Sequence, residues 1–266
     1  MLTPPVFVQA LGWWTPDWPD WAQAAAALRG EAVAPAEHQR RPAPRLLAAN
    51  ERRRAPDAVL MALQVAEEAC AGAGADPATL PSVFTSAHGD LAIVDALCRT
   101  LAADPLLLSP MRFHHSVHNA ASGYWAIGAH NPEASTALAA GAHSFAAGWL
   151  EAATQCVADD RPVLLVGCDT EAMGPLQSVN ASRGLLAVAM LLAPAPRRAA
   201  DRTIAWRLQP GALAAPPLRS TAARALQANA MADALPLFEA LADTASTDLT
   251  LPLSATLALA LSLSPA

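Results

Sequence analysis

From Pro5 to Trp14 apolar side chains recur at every second position, and the period predicts a half-buried strand. Pro162 to Gly167 and Leu185 to Leu192 are continuously apolar, and Ser82 to Ser86 (SVFTS) is a short run around Val83 and Phe84. Runs of that length between turn signals predict strands buried on both faces. Thr203 to Leu208 predicts a further strand, and Leu249 to Leu263 a last apolar, strand-like run. Between them the spacing becomes helical. Helices are expected over Trp18 to Arg29, Asn50 to Ala73, Leu91 to Ala102, Val117 to Ala129, Gly141 to Cys156 and Ser220 to Asp243. In the Asn50 to Ala73 segment Val59, Leu60, Leu63, Val65, Ala66 and Ala69 share one side, and Gly-Ala-Gly-Ala-Asp-Pro ends it. Glu31 to Arg45 is proline-rich and irregular. Strands alternating with helices predict an α/β layered fold with a mixed β-sheet and helices on both faces.

Composition narrows this picture. The chain has 266 residues, 53% of them hydrophobic and 15% charged, which suits a globular protein with a large core. A net charge of −6 argues against a nucleic-acid or anionic-membrane partner. Lysine is absent, and Arg40, Arg41, Arg45 and Arg52 to Arg54 form a local basic cluster. That cluster reads either as a solvated loop and helix start or as a docking patch for an acidic or phosphorylated group. Cys70, Cys98, Cys156 and Cys168 show no CxxC spacing, so neither a zinc site nor a disulfide framework is expected. With no signal peptide and no membrane span read from the sequence, the expected location is the cytoplasm. Trp13, Trp14, Trp18 and Trp21 read as one aromatic cluster, either a packing lid over a sheet end or a tunnel wall.

The chemistry concentrates at Ser135 to Gly141, sequence STALAAG. A short strand there runs through a tight small-residue turn into a long helix. Such an elbow can lift a nucleophile into a pocket while the helix N-terminus stabilises negative charge. The apex residue is Leu138, which has no reactive atom. Other candidates lie nearby. His114, His115 and His118 form an HHxxH group, but no carboxylate or cysteine completes a metal site at a recognised spacing. His88 and His143 read as structural. Cys168 precedes Asp169, whose charge should raise the thiol pKa and blunt it as a nucleophile. Ser135 and Thr136 could serve as hydroxyl nucleophiles with His118 as base, which would make the chain an independent acyl-thioester hydrolase or acyltransferase. No Gly-x-Ser-x-Gly pattern accompanies them.

Three segments together resemble the N-terminal half of a β-ketoacyl synthase, a condensing enzyme of the thiolase fold. SPMRFHHSVHNAASGYWAI (Ser109 to Ile127) is similar to the family's serine-proline opening and the small-residue helix after it. TALAAGAHSFAAGWLEA (Thr136 to Ala152) resembles its nucleophile elbow, with Thr136, Ala137 and Gly141 matching the turn and Leu138 in the place of the acyl-accepting cysteine. PVLLVGCDTEA (Pro162 to Ala172) resembles the strand and acidic turn that follow. The resemblance covers about 82–171. It implies one ketosynthase-like N-terminal domain over 1–266, with 200–266 a reduced remnant of the second half.

The departures shape the functional expectation. The family also uses two histidines from its C-terminal half, whereas the last histidine here is His143. Claisen condensation needs a thiolate to carry the acyl chain and donors for the developing enolate, and both are missing. The chain thus resembles the short chain length factors that accompany aryl polyene and xanthomonadin-type ketosynthases. The resemblance implies no cofactor, no metal, a heterodimer with a full-length ketosynthase, and acyl carrier protein as an indirect partner. By the same resemblance Met111, Arg112, Phe113 and Ser116, with His118 and Asn119, would reach the partner's acyl tunnel or the interface. A scaffold without influence on product length is the third reading. A half-thiolase alone would expose a large apolar face, so poor solubility without the partner is expected.

Overall fold

The computed structural model describes residues 3–31, 41–211 and 213–265. Eight strands form one mixed sheet: β1 (Val6–Trp14), β2 (Ser82–Thr85), β3 (Ser135–Leu138), β4 (Val163–Asp169), β5 (Leu186–Ala193), β6 (Arg202–Pro210), β7 (Thr247–Pro252) and β8 (Leu257–Pro265). Their spatial order is β3-β2-β4-β5-β1-β6-β8-β7. β3, β2 and β4 run parallel; the remaining pairings are antiparallel. The parallel strands are linked through helices, as parallel neighbours must be. The α/β layered expectation holds.

The central strands β4 and β5 are buried along their whole length, which explains their unbroken apolar sequences. One layer, built on α3 (Asp57–Ala73) and α6 (Ala120–Gly128), covers one face of β1, β4 and β5. The other holds α1 (Trp21–Leu28), α7 (Ser144–Ala158), α8 (Thr221–Leu226) and α9 (Leu235–Ala242). At β6-β8-β7 only this second layer is in place. There Ile204, Leu249, Leu251, Leu259, Leu261 and Leu263 point inward, while Ala205, Arg207 and Ser262 are exposed on the opposite face. α3 lies unusually close to β1: a Cβ on Gly12 would stand 2.1 Å from the Val65 carbonyl oxygen, so only glycine fits.

Several expected elements are divided. The Asn50 to Ala73 helix is two, α2 (Ala49–Arg54) and α3, because Ala55 is extended before Pro56. The Val117 to Ala129 helix is present, shortened to α6 (Ala120–Gly128). Pro110 begins a separate α5 (Pro110–Ser116), capped by the Ser109 hydroxyl, which accepts from the Arg112 N–H at 3.3 Å. α6 then starts at Ala120. The expected Ser220 to Asp243 helix is α8, a 3₁₀ turn at Ala232–Ala234 and α9. The final apolar run is the β7–β8 hairpin, reversing after Pro252. α4 (Leu91–Ala103) is capped by Asp90, as the Gly-Asp opening suggests. The tryptophan cluster also splits. Side-chain alternation along β1 sends Trp13 to one layer and Trp14 to the other, and Trp18 and Trp21 join Trp13. Of the basic cluster, Arg40 lies outside the described residues; Arg41 pairs with Asp57 at 2.9 Å, while Arg45, Arg53 and Arg54 are exposed.

Candidate functional site

The parallel strands β3, β2 and β4 end together, and the elbow stands at this end. Among the described residues β3 is an edge strand, paired only with β2, and the turn Ala139–Ala142 is exposed. Leu138 is half-buried and packs on the core layer that holds Phe145 and Trp149. Gly141 takes φ 56°, the left-handed conformation that lets the chain turn into a 3₁₀ segment, Gly141–His143. Ser144 fastens the turn: its hydroxyl accepts from the Ala140 N–H at 3.0 Å and donates to the Gly141 carbonyl at 2.7 Å. Thr85 Oγ1 donates to the Ser144 carbonyl at 2.7 Å, tying β2 to the start of α7. Thus Thr136 and Ala137 lie in β3, Leu138 is its last residue, and Gly141 opens the 3₁₀ segment that leads into α7.

A buried polar cluster closes the ends of β2 and β4. Asp169 accepts from Ser86 Oγ at 2.6 Å and from the Ala87 N–H at 2.9 Å. His88 Nδ1 lies 3.5 Å from the same carboxylate. Burial nevertheless pushes the Asp169 carboxyl above its ordinary range. This is not a catalytic relay, because the serine hydroxyl is spent on the aspartate rather than on histidine. His88 Nδ1 meets the Gly89 carbonyl at 3.1 Å, and Nε2 is buried without a partner among the described residues. Cys168 is buried and its thiol pKa is raised, first by burial and then by Asp169, so the neighbouring carboxylate anticipated from sequence is the smaller cause. Sγ donates to the Ala58 carbonyl at 3.6 Å.

The hydroxyl-nucleophile arrangement is not assembled. Ser135 Oγ bonds Ser82 Oγ at 3.0 Å, and Thr136 Oγ1 accepts from Gln155 Nε2 at 3.1 Å. His118 Nε2 instead meets the Ser86 carbonyl at 3.0 Å, and His115 Nε2 meets the Tyr124 hydroxyl at 2.9 Å. No group of three metal-binding side chains occurs among the described residues. Behind His115 and His118 lies a cavity of about 30 Å³, lined also by Phe84, Ser86, Asp90 and Cys168. That is room for a single water.

The sequence candidates on α5 lie at the surface. Met111, Arg112 and Phe113 are exposed, Ser116 is half-buried, and His118 and Asn119 just beyond are exposed. Leu106, 93% exposed, and Leu107, 72%, lie in the 3₁₀ turn before α5, and Ile127 on α6 is 78% exposed. Sequence reasoning missed two residues that organise the site. Asp233 Oδ2 accepts from the Phe145 and Ala146 N–H groups at 2.9 and 3.2 Å, capping α7. Asn229 Nδ2 donates to the carbonyls of Asp169, Arg183 and Gly184, which pins the strand ends. Both come from a segment expected to be plain helix, and no local signal marked them.

The family model for the β-ketoacyl synthase N-terminal domain matches residues 18–254. The chain belongs to this family. Solved structures with the same fold include the ketosynthase ApeO in complex with its chain length factor ApeC from Xenorhabdus doucetiae. That likeness has a TM-score of 0.71 at 21% identity, over 97% of this chain and 99% of that one. The AntDE:AntF assembly, a type II acyl carrier protein with its ketosynthase, matches at TM-score 0.75 and 10% identity, over 100% of both chains. The ishigamide ketosynthase/chain length factor matches at 0.70 and 12%, over 98% of this chain and 99% of that one. No curated protein matches the chain. At these identities the likenesses establish the fold, which is the thiolase-like ketosynthase fold. No helix among the described residues is long and apolar enough to cross a membrane.

Proposed function

We propose that this chain is a non-catalytic ketosynthase-like subunit, a chain length factor that pairs with a full-length β-ketoacyl synthase and shapes its acyl tunnel. The observation that carries this reading is an intact family elbow with Leu138 at its apex, in a chain with no histidine after His143. The substrates are acyl and malonyl groups on acyl carrier protein, and the products belong to the aryl polyene or related polyketide and fatty acid-type pathways. Three of the structural relatives are ketosynthases solved with a chain length factor or a carrier protein, which supports a ketosynthase partner.

Met111, Arg112, Phe113 and Ser116 are the residues assigned to the partner's tunnel. A bulky side chain at a tunnel end imposes a steric cost on each added carbon unit. Phe113→Ala in the reconstituted pair should therefore shift the products towards longer chains by at least one extension unit, read by mass spectrometry. An unchanged length distribution would favour the scaffold reading. The chain alone should show neither acyl transfer nor thioester hydrolysis; either activity without a partner would reinstate the hydrolase reading.

Leu138→Cys alone should give no condensing activity with acyl and malonyl carrier proteins. The new thiol would lack the two histidines, and the amides at the start of α7 already serve Asp233. Detectable ketoacyl product from the purified Leu138→Cys chain would defeat the non-catalytic assignment.

A further inference from the structure

The C-terminal segment does more than extend the sheet. Between α8 and α9 it folds back so that the 3₁₀ turn Ala232–Ala234 meets the N-terminus of α7. One oxygen of Asp233 takes the Phe145 and Ala146 N–H groups, and the other, Oδ1, is buried without a partner among the described residues. The seat for an anion at this helix start is thereby filled from within the chain. Apolar side chains surround it: Phe145, Met231, Leu235 and Phe238 belong to the same buried layer. The charged group that acts on it is Asp169 at the end of β4, itself held by Ser86, Ala87 and His88 on its far side.

We propose that Asp233 is a pH-sensitive latch that fastens the C-terminal segment to the elbow helix. The carboxyl is pushed up to about 7, mainly by burial and further by repulsion from Asp169; the two α7 amides oppose the shift. The ordinary value is 3.8. Between these values the folded chain holds a proton that the unfolded chain has released, so stability falls as the pH rises through this window. Below it the latch is neutral. Above it the segment carries a buried charge beside a second buried carboxylate. Glu68, Asp90 and Asp169 are also raised by burial and add slopes of the same sign, so the contribution of Asp233 is isolated by difference.

The test compares the full chain with its Asp233→Asn variant, in complex with the partner if the chain requires it. From pH 5 to 8.5 the wild-type melting temperature should fall by roughly 5 °C more than that of Asp233→Asn. Equal slopes would overturn the proposal. Carbon-13 titration of the Asp233 carboxyl in the wild type needs no variant: a midpoint near 7 is expected, and one below 5 would overturn it even if Asp233→Asn fails to fold.

Discussion

A chain carrying Leu107→Asp and Phe113→Asp is expected to lose its ketosynthase partner while keeping its own fold. Both side chains are largely exposed, Leu107 at 72% and Phe113 at 59%, so neither contributes much to the core. Substitutions at such positions usually leave stability within about 0.5 kcal/mol. In the complex the same positions would be enclosed. Burying an unpaired carboxylate there costs several kcal/mol, and the apolar contact area is lost as well. Two such changes should weaken pairing by more than about 100-fold, since each 1.4 kcal/mol is a factor of ten. Co-purification with the ketosynthase and sedimentation of the mixture read this loss; circular dichroism and the melting temperature of the isolated variant check the fold. Undiminished pairing would place the partner on another face. Loss of pairing with an unchanged melt would tie the exposed α5 surface to the ketosynthase.

The legible parts of this molecule are those governed by local periodicity. β4 and β5 announce themselves because both of their faces are covered, which removes polar positions altogether. α3 shows its buried stripe, and the elbow shows small residues where the chain must turn sharply. Element boundaries are less legible where the punctuation is a single residue. Pro56 is a break and Pro110 a helix start that local rules could have used, the second with Ser109 as an N-cap before it. The divided tail carries another, Pro236 at the start of α9, although residues 227–231 before it contain neither glycine nor proline. The capping role of Asp233 was not legible at all. Its hydrogen bonds reach residues 87 and 88 positions away, and only the tertiary fold brings them together. Leu138 is the opposite case. That its side chain carries no nucleophilic atom is visible in sequence alone.

Phe238→Ala should destabilise the whole chain by about 3–5 kcal/mol, the range for removing a buried aromatic ring. Phe238 is fully buried, and its ring meets those of Trp13, Trp21 and Phe145 at centroid separations of 5.6, 5.7 and 5.9 Å. Those partners belong to β1, the start of α1 and the elbow helix α7. A ring on α9 therefore joins the C-terminal segment to β1, α1 and the elbow helix at once. If that segment were a loosely attached remnant, Phe238→Ala would release it alone, and unfolding would show two transitions. The shared layer and the continuous sheet from β1 through β6 to β8 and β7 argue for one. Urea unfolding followed by tryptophan fluorescence should thus give a single transition with a lower midpoint and an unchanged slope. A biphasic curve, or a loss below about 1 kcal/mol, would separate the tail from the core and weaken the case that it stabilises the elbow.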